Sequence, residues 1–272
     1  MAQQGQFGQQ PGLAADTSTL AQTYQIGTPV TEYKNNTVTK TVLGITLSIL
    51  GGLFVLFGLL TLFVARGSFF AKIVLILLGL SLLAYGISQI RTARRNRGAR
   101  LYLCSDGVMR VQDGQGQAIR WDQISSIQKT FAEFSTRGQK SYMLKDYTLL
   151  RPDGTQLVLD NSFGKFKECG AAIEQQVTTC LLPGALAAFQ SGQLLPFGPI
   201  GVSAQGVSAQ NGQKVLSWGE LKQIQVRNGE LKVKKERAFL DWEIIPTSGM
   251  PNLCVLVALL NSITNGQKIQ VR

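Results

Sequence analysis

The sequence predicts an α+β protein in which two membrane-spanning helices precede two strand-rich units, each closed by a C-terminal helix. Three observations predict it. Two long apolar runs lie between residues 42 and 90, interrupted only by Lys72 near the start of the second, and a set of short motifs recurs in one order in the C-terminal part. Each recurrence then passes from turn signals into an apolar stripe at helical spacing.

The chain has 272 residues, enough to bury a core in one large domain or two small ones beside an anchor. Its net charge of +11 is unevenly placed. Residues 1–100 carry nine Lys or Arg against Asp16 and Glu32, whereas residues 101–272 carry eighteen against fourteen acids. The excess lies beside the apolar runs, which points to membrane-surface electrostatics. No nucleic-acid motif or aromatic-basic groove accompanies it, so no nucleic acid is expected. Histidine is absent. That excludes Ser-His-Asp and Cys-His catalysis, His-ligated zinc and the usual near-neutral proton shuttle. Cys104, Cys169, Cys180 and Cys254 form no C-x-x-C pair and are expected as buried thiols of a reducing compartment.

The first span is predicted over residues 42–64, where every residue is apolar, small or hydroxyl-bearing. A helix of that length reaches about 34 Å, enough to cross a hydrocarbon core. The second is predicted over residues 69–90, with Lys72 near its start, where it snorkels to the headgroups. The connection over residues 65–68 makes the pair a hairpin. A secretory signal peptide would begin nearer residue 1 and have a shorter apolar core. Arg91, Arg94, Arg95, Arg97 and Arg100 follow the second span without an acid among them, a membrane-surface cluster that favours the cytoplasmic side. An even number of spans then puts both termini in the cytoplasm, with Lys34 and Lys40 ahead of the first span and Arg66 in the turn as a weak opposing signal. Gly44, Ser48 and Gly52 recur every fourth residue and let another helix come close. The expected partner is the second span; the alternative is a homodimer through the transmembrane segment. No ionisable group sits mid-span, so no ion pathway is expected.

Residues 1–36 are rich in Gln, Gly, Thr and Ala and are expected to be disordered, with residues 26–33 as a weakly patterned tether.

Beyond the hairpin the chain repeats itself. Asp106-Gly-Val108, Val111-Gln-Asp-Gly-Gln115, Ile119-Arg-Trp121 and Ile124-Ser-Ser-Ile-Gln128 form the first set. Gln205-Gly-Val207, Ala209-Gln-Asn-Gly-Gln213, Leu216-Ser-Trp218 and Leu221-Lys-Gln-Ile-Gln225 form the second. The order is the same, and only the spacing ahead of the tryptophan differs. Asp113-Gly114 and Asn211-Gly212 are hairpin turns, because such turns need positive φ at both central residues. A further hairpin joins residues 147–150 to 156–159 around Pro152-Asp153-Gly154, and another joins 221–226 to 230–233 around Asn228-Gly229. In the first unit, residues 101–181, Phe166, Cys169, Gly170, Ile173, Val177 and Cys180 form the buried stripe of the closing helix. A linking helix is predicted over residues 182–192. In the second unit, residues 193–265, Asn252 caps a helix through Leu253, Leu256, Leu260 and Ile263. Trp121 and Trp218 are equivalent core anchors. Because each unit closes its own sheet, residues 98–272 are expected to fold without the hairpin.

With Gly107-Val108, Trp121-Asp-Gln-Ile124, the arginine-rich exit from the second span, Phe197-Gly198, Gly206-Val207, Trp218-Gly-Glu-Leu221, Ile245-Pro246 and Pro251-Asn252, the chain resembles an uncharacterised bacterial family. Its members are two-span membrane proteins with tandem pleckstrin-homology-like domains. The resemblance covers about residues 26–265. It implies the architecture, and it carries over no catalytic, cofactor or metal residue.

Little else in the sequence suggests chemistry. Asp241 and Glu243 flank Trp242 and share a strand face, but no third acid joins them, and a solvated face is the expectation. No glycine run opens a helix as a phosphate loop does. The basic run at Lys232, Lys234, Lys235 and Arg237 is the candidate lipid- or partner-binding surface, with Leu231 and Val233 turned inward. A solubilising, edge-protecting strand is the alternative. The expected function is a membrane-anchored, non-catalytic binding or scaffolding module at the cytoplasmic membrane face. It would recognise a peptide, a protein partner or a lipid headgroup, anionic headgroups included. The alternative is a structural subunit of a larger membrane assembly that contacts its partners through the hairpin. Neither cofactor nor metal is expected.

Overall fold

Strands and the turns between them dominate the chain outside the hairpin. The computed structural model describes residues 15–35, 37–64, 69–95, 98–112, 114–136, 139–210 and 212–271. They divide into two units, one holding residues 34–101 and 111–115 and the other the remainder.

The hairpin consists of α2 (Val38–Val64) and α3 (Phe69–Arg95). Both helices outrun the predicted spans, because the polar turns at the two ends continue the helical backbone past the apolar stretch. The apolar windows themselves are Thr41–Leu62 and Lys72–Arg94.

The N-terminal segment departs from expectation. Residues 1–14 and Asn36 lie outside the described residues, but Ala15–Thr23 is a helix (α1) and Pro29–Lys34 a strand (β1). Ala21 and Ile26 are fully buried and Tyr33 nearly so. Low apolar content hid this order, because a few residues docking on a sheet formed elsewhere need no core of their own.

Four strands make the first sheet, in the order β1, β2 (Arg100–Cys104), β3 (Gly107–Gln112) and β4 (Gln115–Arg120). Its edge strand therefore precedes the hairpin in sequence, while its other three follow it. A 3-10 turn over Trp121–Gln123 leads into a meander of β5 (Ser126–Thr136), β6 (Gln139–Leu150) and β7 (Gln156–Asp160). The predicted hairpin at residues 147–159 is thus only the last third of this meander. α4 (Phe166–Gln190) follows as a single helix. The predicted linking helix at 182–192 is its C-terminal part, and Pro183 lies inside it. A proline removes one ladder bond and usually ends a helix; here the helix continues past it.

The second half runs through β8 (Leu195–Phe197), β9 (Ile200–Ser203), β10 (Gly206–Ala209) and β11 (Lys214–Ser217) in one antiparallel sheet. β12 (Leu221–Arg227), β13 (Glu230–Lys235) and β14 (Asp241–Pro246) form an antiparallel meander, and α5 (Leu253–Thr264) follows. Asn228 and Gly229 both have positive φ, 51° and 70°, as the tight β12–β13 turn requires. Val207, Leu216, Leu221, Ile224, Leu231, Val233, Leu256 and Leu259 pack into one core. The half extends beyond residue 265. β15 (Ile269–Val271) pairs parallel to β12, and Lys268 Nζ donates to the carbonyls of Trp218 and Leu221, both at 2.6 Å.

Two recurring motif residues have matching surroundings. A Cβ on Gly107 would lie 2.6 Å from the Ile119 carbonyl oxygen, and one on Gly206 would collide with the Leu216 carbonyl oxygen. Each glycine lets its strand approach the partner that leads to the tryptophan. Trp121 Nε1 then donates to the Cys104 carbonyl at 3.3 Å, and Trp218 Nε1 to the Ser203 carbonyl at 3.2 Å.

Asn252 does not cap α5 with its side chain. Its Oδ1 accepts from Ile127 N at 2.9 Å and its Nδ2 donates to the Ser125 carbonyl at 3.1 Å. Ser248 Oγ accepts from Phe131 N, and Gly249 N donates to the Lys129 carbonyl. Residues 248–252 thereby cover the edge of β5, whose exposed backbone groups would otherwise invite another strand.

Candidate membrane and binding surfaces

In the hairpin, two rows of small residues face each other. A Cβ on Gly51 would come within 2.6 Å of Leu83 N, one on Gly79 within 2.8 Å of Val55 N, and one on Gly44 within 2.9 Å of the Gly86 carbonyl oxygen. Gly58 is similarly filled by Ile76. Positions 44, 48, 51, 55 and 58 alternate steps of four and three, the spacing of a left-handed antiparallel pair. Gly44 and Ser48 therefore belong to the packed face, as predicted, with Ser48 Oγ donating to the Gly44 carbonyl at 2.8 Å. Gly52 does not: nothing lies within 4 Å of where its Cβ would be. Counting every fourth residue drifts off a seam whose true period is 3.5, and Gly51 takes the place assigned to Gly52. Large apolar side chains such as Leu53, Phe57, Leu60 and Leu77 are exposed.

The predicted arginine cluster is divided between elements. Arg91 and Arg94 are exposed at the end of α3, Arg95 lies in the last turn, and Arg100 opens β2 as an exposed residue. Arg97 and the Arg95 side chain lie outside the described residues, as do Arg66 and the Lys40 side chain. A groove of about 400 Å³ at this end of the hairpin is lined by Thr37, Thr41, Ile90 and Arg94, among others.

In β13, Leu231 and Val233 are fully buried and the lysines lie toward solvent, as the alternation predicts. The basic run is not free charge, however. Lys232 Nζ is 3.1 Å from Glu230, and Lys235 Nζ is 2.8 Å from Glu220. Hydrogen bonds from Lys235 and then from Ser217 hold the Glu220 carboxyl below its usual range. Lys234 is half-buried, while Arg237 is exposed at a left-handed φ of 56°. The next residues were missed by sequence reasoning. Phe239 is 107% and Leu240 83% exposed, on the turn between β13 and β14. An apolar pair beside a strand reads as core by default, and only the exposure sets it apart.

Glu243 accepts from Lys214 Nζ at 3.2 Å and from Gln210 Nε2 at 3.4 Å. Asp241 starts the same strand and pairs in register with Lys234. No group of three His, Cys, Asp or Glu side chains suited to a metal occurs among the described residues.

Inside the first half, the Tyr147 hydroxyl donates to Glu174 Oε1 at 2.7 Å, and Lys129 Nζ is 2.7 Å from Glu174 Oε2. Burial first, and Glu174 second, raise the Tyr147 hydroxyl above its ordinary range. The cluster straps α4 to the β5–β6 pair. Burial pushes the Cys104 and Cys169 thiols up to about 12 and also raises Cys254. A thiol held protonated is a poor nucleophile. Cys180 was expected on the buried stripe with Cys169, but it is exposed, because the row through Cys169, Ile173 and Val177 continues to Leu181, which packs on the second-half core.

No curated protein matches the chain in sequence. A family profile does, over residues 1–268. The chain belongs to that family, which is described as a family of unknown function (DUF6585).

Proposed function

We propose that this protein is a membrane-anchored, non-catalytic binding or scaffolding module at the cytoplasmic face, built on two pleckstrin-homology-like units. The observation that carries the reading is the place of the hairpin in the chain. Two helices long and apolar enough to cross a membrane, with only 17% and 11% of their apolar windows buried, are inserted between neighbouring strands β1 and β2 of one sheet. Core helices of a soluble protein would be largely buried. Adjacent strands also require both ends of the hairpin on one side of the bilayer, and Arg91, Arg94 and Arg100 favour the cytoplasmic side for it. Support for the tandem units comes from the element order. Four strands, then a three-stranded meander, then a helix occur in β1–β7 with α4 and again in β8–β14 with α5.

An exchange of hairpins tests the reading. The native hairpin is replaced by an unrelated two-span hairpin of equal length, and both chains are crosslinked in native membranes. A binding module keeps the partners it crosslinks through the strand-rich part. Loss of all partners with the native hairpin supports instead a structural subunit of a membrane assembly. Cleavage of residues 101–272 by protease added outside intact cells overturns the topology.

A further inference from the structure

We infer that the β13–β14 turn is a membrane wedge, in which Phe239 and Leu240 enter the interfacial layer of the bilayer that anchors the chain. The inference rests on the membrane-anchored reading above and names the surface this turn meets. Three observations carry it. Phe239 and Leu240 are the two most exposed large apolar side chains among the described residues, and they are adjacent. They stand on a short turn between two paired strands, with Leu231 and Val233 of β13 fixed in the core. The tip is also small. A stable protein interface buries on the order of 1,000 Å² or more, which two side chains do not supply. A tethered domain needs far less, because its anchor already holds it at a high local concentration of lipid.

Charge plays a smaller part than the sequence suggests. Lys232 and Lys235 are paired to Glu230 and Glu220. The acids Glu236 and Asp241 border the tip together with Lys234 and Arg237. The rim is therefore near neutral, and attraction to anionic lipid adds little. Transfer of a Phe or Leu side chain out of water favours the inserted state by about tenfold or more each.

The test uses the full chain in nanodiscs of neutral phosphatidylcholine and in nanodiscs containing phosphatidylserine. A photoreactive benzoylphenylalanine replaces Phe239 in one sample and Leu194, another exposed apolar residue, in a control. The expected result is a lipid adduct at position 239 about tenfold above that at 194, similar in both lipids and reduced about tenfold by Leu240→Ser. An adduct at 239 no greater than at 194, or one formed on protein, overturns the wedge. An adduct confined to phosphatidylserine discs overturns it in favour of electrostatic docking. A chain that does not enter nanodiscs refutes the anchored reading itself, and the wedge with it.

Discussion

The two halves of the strand-rich part run through the same elements but are completed in different ways. The second is continuous: β8 leads into β9 through a short turn, and the C-terminal β15 adds a parallel strand to its meander. The first is interrupted. Its edge strand β1 and helix α1 come from before the hairpin, and they bury Ala21, Ile26 and Tyr33. Tyr24 reinforces the junction with a 2.6 Å hydrogen bond from its hydroxyl to the Gly116 carbonyl. A repeated sequence thus produces one half whose strands are consecutive and one whose order depends on a segment far away along the chain.

The largest expected effect tests that dependence. The expectation that residues 98–272 fold by themselves fails to reckon with β1. That fragment lacks α1 and the edge strand of the first sheet, so its first half should be unfolded or aggregated while the second keeps protected amides. Joining residues 15–35 to 98–272 through a flexible linker in place of the hairpin should restore one cooperative unfolding transition. Equal stability of the two fragments by calorimetry would break the comparison.

A smaller contrast lies in the tryptophans. Trp121 is 5% exposed, and Trp121→Ala is expected to cost about 3–5 kcal/mol, the range for emptying a large buried aromatic site. Trp218 is half-buried and meets Phe189 edge-on with ring centroids 6.4 Å apart. Trp218→Ala should cost about 2 kcal/mol. Denaturant unfolding of the linker-joined protein measures both, and the reverse ranking would show that exposure does not govern the pair.

Between the halves, Asn252→Ala removes both side-chain bonds, to Ile127 of β5 and to Ser125 just before it. A loss of about 1–3 kcal/mol is expected, because Ile127 N and the Ser125 carbonyl lose their partner. If Asn252→Asp, which keeps the acceptor for Ile127 N, recovers none of that stability in the same unfolding experiment, the bridge is not what the residue contributes.

The smallest effect leaves stability unchanged. At pH 8 a thiol with its pKa near 12 is thiolate in only about one molecule in ten thousand, so Cys104 and Cys169 should resist maleimide until the chain unfolds. Exposed Cys180 should label first, followed by Cys254. Mass spectrometry of peptides over time reads the order, and early labelling of Cys169 would contradict the packing of α4.

Features set by neighbours in sequence were legible. Long apolar runs marked both helices of the hairpin, Asn228-Gly229 marked its turn, and the recurring glycine and tryptophan marked strands that do make matching contacts. Features set by distant partners were not. Residues 29–34 have too little apolar pattern to stand alone as a strand, and their partner β2 lies beyond the hairpin. The sequence divides α4 near Pro183 into a closing helix and a linking helix, because local sequence cannot reveal packing that carries one helix through a lost hydrogen bond. The interhelical seam was found, but its phase was lost by one residue at Gly52. For the candidate surface, the alternation of β13 was readable. The ion pairs to Glu220 and Glu230 and the exposure of Phe239 depend on where the chain folds back.

The interrupted first sheet has a consequence for how the protein is made. β1 leaves the ribosome before either helix of the hairpin, yet it has no neighbour to pair with until β2 emerges after the second. On the membrane-anchored reading proposed above, completion of that sheet reports on insertion of both helices. On that reading, failure of one helix to enter the bilayer leaves β1 and β2 on opposite sides and the sheet with an open edge. A chain with both helices in place closes the sheet once β2, β3 and β4 have followed the hairpin.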